Sequence, residues 1–146
     1  MHHQRATTTF LLLACFACSS GTKDSSDTGP GYDLARSQAT DGGSWTVGYT
    51  PDPDPIPAAE NFSLTLTLDG EAGDDTASGP VVIVDATMPE HEHGMTVVPE
   101  VSRQDDGSYL ATPLKFHMTG HWEITAEVTH DDQTETAAFH VICCEY

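Results

Sequence analysis

Positive charge is what this chain has least of. Five lysines and arginines stand against 23 aspartates and glutamates, a formal net charge of −18. Arg5 sits in what reads as a cleaved leader, so the mature chain is more acidic still. Such a surface repels nucleic acid and anionic headgroups, which excludes both as expected partners. Helical periodicity is missing, and so is any apolar run long enough to span a bilayer. No Gly-rich phosphate loop, CxxC pair, nucleophile motif or acid/base constellation occurs, so the chain is not expected to be an enzyme. Acidic groups at Asp52 with Asp54, and at Glu71 with Asp74 and Asp75, lack the loop pattern and terminal bidentate glutamate of a calcium site.

What is present begins with an address. Arg5 precedes an apolar stretch over residues 10–17, too short for an anchor helix but suited to a signal peptide. Leu-Leu-Ala before Cys15, and Ala17 before Cys18, resemble a bacterial lipoprotein signal in which the cysteine receives the lipid. Cys18 gives the better signal length and is preferred, with Cys15 the alternative and a plain secretory signal the third reading. Ser19 after the acceptor implies, by the same resemblance, outer-membrane sorting facing the periplasm. Residues 1–18 are then the signal peptide and residues 19–43 a polar tether of Ser, Gly, Thr and Asp. Its reach is roughly 25–30 Å for a flexible chain of that length.

Residues 44–146 read as strands. Residues 45–49 alternate; the prolines at 51, 53, 55 and 57 favour an extended polyproline-like link. Phe62, Leu64, Leu66 and Leu68 alternate with polar residues, as do Val82, Val84, Ala86 and Met88 across residues 81–88. Further strands are expected at residues 96–101, 108–111, 114–118, 122–128 and 137–141, with turns at Asp105-Asp-Gly107 and Asp131-Asp-Gln133. Seven or eight short strands with turns every eight to twelve residues predict an all-β, immunoglobulin-like sandwich with Trp45 or Trp122 as its central aromatic, Trp122 being preferred for its long alternating strand. By parity Met88 and Met118 are core residues, His140 lies on a polar face, and His130 is solvated at a strand end.

Residues 88–95, Met-Pro-Glu-His-Glu-His-Gly-Met, hold two thioethers, two imidazoles and two carboxylates. Thioether with imidazole is a donor set that suits copper. His91 and His93, one residue apart, face the same side of an extended segment. Met95 shares that parity, and Gly94 lets the backbone turn. His117 and His121 flank Gly120 in a later segment and are the next candidates, completing the set if the sandwich brings that segment alongside. The metal-free alternative is a polar loop that caps the sandwich or docks a partner. Cys143 and Cys144 are adjacent, so a disulfide between them needs a distorted peptide; bridging to another chain, soft-metal ligation or a redox role are the other readings.

The spacings of Ala-Thr-Met-Pro at 86–89, His-Glu-His-Gly-Met at 91–95, Pro99, Asp-Gly-Ser-Tyr at 106–109 and Phe-x-Met-x-Gly-x-Trp-Glu-Ile at 116–124 resemble the YtkA-like domain family. That family is itself similar to FixH-type proteins and copper-resistance sandwich domains. The resemblance covers about residues 45–142 and implies a small extracytoplasmic β-sandwich, often lipid-anchored, with copper handling as its suspected role. His91 stands where the family more often has a small or apolar residue. The combined expectation is a lipid-anchored envelope protein that binds a transition metal, copper first, and chaperones or buffers it, with an envelope copper acceptor or a membrane-complex protein as candidate partner. A metal-free envelope interaction module is the alternative.

Overall fold

The computed structural model describes residues 31–70 and 79–144. The signal peptide, Cys15, Cys18 and the first part of the tether lie outside the described residues, as do Glu71, Asp74 and Asp75. Among the described residues no helix is long and apolar enough to cross a membrane.

Among the described residues nine strands form two antiparallel sheets. They are β1 (Ser37–Ala39), β2 (Trp45–Asp52), β3 (Asn61–Gly70), β4 (Val81–Met88), β5 (His93–Gly94), β6 (Glu100–Arg103), β7 (Tyr109–Lys115), β8 (Gly120–His130) and β9 (Gln133–Cys143). One sheet runs β1-β2-β3-β7-β6, the other β5-β4-β8-β9. Period-two patterning placed the core correctly: Val82, Val84, Ala86 and Met88 are buried while Val81, Ile83, Asp85 and Thr87 are exposed. Trp122 is fully buried and stacks on Phe116 at 4.5 Å between ring centroids, so the expected central aromatic is where the two sheets meet. The all-β sandwich predicted from alternation is the fold.

Three local expectations change. The segment expected to be tether already contributes to the sandwich: β1 pairs with β2, and Thr40 is buried. Pro51 and Asp52 belong to β2, paired with Leu64 and Ser63, so the proline-rich link starts later than its first proline. Residues 108–111 and 114–118, expected as two strands, are one strand ending at Lys115. Beyond that end alternation no longer counts. Met118 therefore points to solvent at 41% exposure instead of entering the core.

The β8–β9 hairpin closes through Asp131 and Asp132, both at positive φ, with His130 opposite Gln133. Two left-handed residues match the twist of the flanking strands, which is why a two-residue loop suffices. This hairpin carries Trp122 on one face, pointing inward, and His121, Glu123 and His140 on the other, pointing outward.

Candidate metal centre

The loop after β4 is held by its backbone. Pro89–His91 form one 3-10 turn, ended by Glu92 in the left-handed region at φ 54°. Gly94 was expected to supply the tight turn, but Glu92 makes it. His93 and Gly94 then return to pair with Met88 and Thr87, and the Met95 amide donates to the Ala86 carbonyl at 3.2 Å. His91 and His93 consequently do not share one side of an extended strand. They still end up close, with ring centroids 5.9 Å apart and planes 24° from parallel.

His117 comes from the segment between β7 and β8. The Trp122 Nε1–H donates to the Met118 carbonyl at 3.0 Å and so ties that segment to the core. The result is that His93 and His117 lie 5.1 Å apart between centroids and both meet Trp122 edge-on, at 6.1 and 5.5 Å. The Nδ1 atoms of His93 and His117 are buried without a hydrogen-bond partner. A buried polar nitrogen left unpaired costs about 1–3 kcal/mol, so two beside one tryptophan require a reason. Met95, two residues after His93, is partly buried against the core. Of the five candidate ligands, the structure therefore gathers His91, His93 and His117, with Met95 in the same loop.

His121 does not join them. One residue before Trp122 on β8, it faces the opposite side of the sheet and is 5% exposed. Its Nε2 lies 3.0 Å from Nδ1 of His140, and its Nδ1 lies 3.5 Å from Oε1 of Glu90. Tyr32 stacks on His121 at 3.8 Å and donates its hydroxyl to Glu90 at 2.8 Å. That hydrogen bond, more than burial, raises the Tyr32 phenol above its ordinary value. Sequence spacing missed this second cluster. Tyr32 sat in a supposed tether, and His140 only meets His121 through the β8–β9 register.

Among the described residues, no three His, Cys, Asp or Glu side chains are already disposed around one point as a metal would need. The two terminal cysteines are joined as an adjacent disulfide, so neither sulfur is offered as a ligand.

No curated protein and no solved structure matches the chain. The family model described as YtkA-like matches residues 44–127, from the start of β2 into β8 and spanning both the loop and Trp122. That is more than half of the chain, which thus belongs to the YtkA-like family.

Proposed function

We propose that this chain is a lipid-anchored envelope protein that binds copper, as the cuprous ion, at the Trp122 end of the sandwich. The observation that carries the reading is the pair of buried, unpartnered Nδ1 atoms on His93 and His117. Unpaired nitrogens held beside a rigid indole are donors kept ready for something other than hydrogen bonding. Two imidazoles with a methionine thioether available suit a soft monovalent ion. They do not suit structural zinc, which asks for four nitrogen or thiolate donors in a tetrahedron. His93 and His117 are the expected principal ligands, with Met95 the thioether and the exposed His91 able to swing in. His121, on the outward face of β8, is not one of them. The bound ion would be cargo, delivered to an acceptor in the envelope, with no chemistry on a substrate.

The test is Cu(I) titration under a competing chelator, using the chain from Ser19 onward, which keeps every described residue. Stoichiometric binding weakened roughly a hundredfold in a His93→Ala/His117→Ala variant is the expected result. Equal affinity in wild type and variant would leave the loop as a cap or docking surface and favour the metal-free interaction module.

A further inference from the structure

We propose that His121, Glu123 and His140 form a second metal site, on the outer face of the four-stranded sheet, for a divalent ion of borderline softness such as zinc or cupric copper. It shares no ligand with the Trp122 site and stands or falls independently of it. One of its three ligands, His140, and the covering Tyr32 fall beyond the family match of residues 44–127.

Register builds the group. Glu123 is directly opposite His140, and His121 is opposite Ile142, so the two histidines are diagonal neighbours on one outward face. Their facing nitrogens, Nε2 of His121 and Nδ1 of His140, are 3.0 Å apart. Two imidazole nitrogens each about 2.0–2.1 Å from a tetrahedral ion sit roughly 3.3 Å from one another, so the present spacing needs only a few tenths of an ångström. The Glu123 carboxylate is 3.8 Å from His140 Nδ1 and its side chain is one-third exposed. An inward rotation of that side chain is what separates the present arrangement from a three-donor site.

The surroundings are those of a ligand, not of an incidental pair. His121 is 95% buried by side chain and its Nδ1 has no hydrogen-bond partner, yet the Glu90 carboxylate faces it at 3.5 Å. A carboxylate behind a metal-bound imidazole fixes its tautomer and raises its basicity. Tyr32 covers the pair, stacked 3.8 Å from His121 and 4.9 Å from His140, and its hydroxyl holds Glu90 in place. Without metal, one N–H bridges the two rings. On binding, that proton is exchanged for one on an outer nitrogen: His121 carries hydrogen on Nδ1 toward Glu90 and His140 carries it on Nε2. Both rings stay neutral and no net proton is lost in this rearrangement. Oxygen and nitrogen donors select divalent zinc or copper over the cuprous ion, which separates the two sites by metal chemistry as well as by face.

The experiment uses the chain from Ser19 onward in a His93→Ala/His117→Ala background, with Zn(II) as probe against a chromophoric chelator. One equivalent is expected to bind. His140→Gln, which keeps an acceptor for the His121 N–H but offers no imidazole, is expected to weaken binding at least tenfold, and Glu123→Gln several-fold. Imidazole nitrogen resonances of His121 Nε2 and His140 Nδ1 are expected to move together on zinc addition, while those of His130 stay fixed. Absence of stoichiometric binding, or unchanged affinity in a His140→Gln variant with an unaltered melting temperature, would overturn the proposal and leave only diffuse attraction of cations to an acidic surface. Failure of the Cu(I) titration in the wild type would touch the Trp122 site alone.

Discussion

The two ends of β8 share a motif and differ in what is done with it. At one end Trp122 meets His93 and His117 edge-on; at the other Trp45 meets His130 edge-on, 5.8 Å between centroids. Around Trp45 the polar groups are paired. Thr40 Oγ1 donates to Glu135 at 2.5 Å and accepts from the Trp45 amide at 3.2 Å. The Ser44 amide and hydroxyl also donate to Glu135, and His130 Nε2 lies 3.5 Å from the Asp131 carboxylate. Around Trp122 the imidazole Nδ1 atoms are buried and unpaired. Histidine beside tryptophan is therefore common to both ends. A buried nitrogen left over is found only at the Trp122 end, and the proposed copper site rests on it.

Substitutions at the two ends sharpen that contrast. The largest expected effect is Trp122→Ala, which removes a fully buried ring stacked on Phe116. A loss of about 3–5 kcal/mol in denaturant unfolding is expected, enough to threaten a marginally stable domain. Trp45→Ala, at the 7%-exposed rim, is expected to cost less. Equal losses would mean that Trp122 is not the keystone of the core.

Next is Gly120→Ala. Gly120 has φ +124°, a conformation alanine resists, and an added Cβ would lie 3.2 Å from the Met88 Cε. A cost of about 1–3 kcal/mol is expected, together with a shift of both the His117 and His121 resonances.

Smaller, and opposite in sign, is His117→Leu. Removing a buried unpaired nitrogen is expected to stabilise the metal-free protein by about 1 kcal/mol, whereas His130→Leu gives no such gain because His130 has no buried, unpartnered nitrogen. If both substitutions behave alike in thermal unfolding, the contrast between the ends is lost.

The Trp45 end is expected to be the acid-sensitive one. Hydrogen bonds from Ser44 and Thr40 hold the Glu135 carboxyl below its ordinary value. A group depressed in the folded state contributes stability above its unfolded pKa, lost as pH falls through the folded one. Glu135→Gln should therefore lower stability at neutral pH and flatten the decline below about pH 4.3, the ordinary glutamate value. A melting curve with the same acid dependence in both proteins would remove Glu135 from that role.

How far the residues announced this depends on what kind of signal each carries. Val82, Val84, Ala86 and Met88 are readable because a strand face repeats every two residues. The same rule misplaced Met118, since β7 ends at Lys115 and parity has no meaning past a strand end. β1 was invisible: Ser37, Gln38 and Ala39 join the sheet through backbone bonds, and their side chains carry no pattern. The histidines were legible as metal-capable types but not as partners. His117 and His121 look equivalent around Gly120, yet one turns toward Trp122 and the other lies on the outward face, a separation decided by where β8 begins. Tyr32 and His140 reach His121 only through the N-terminal segment and the hairpin register, neither of which leaves a local trace.

Because the chain has two tryptophans, Trp122 near the start of β8 and Trp45 of β2 packed beside His130 at its other end, each end can report on itself. Cu(I) would be added to Trp45→Phe, where Trp122 is the sole indole, and to Trp122→Phe, where Trp45 is. Emission from Trp122 should change and saturate at one equivalent, while emission from Trp45 stays flat. Equal change at both tryptophans, or none at Trp122, would contradict a copper site built on the unpaired nitrogens of His93 and His117.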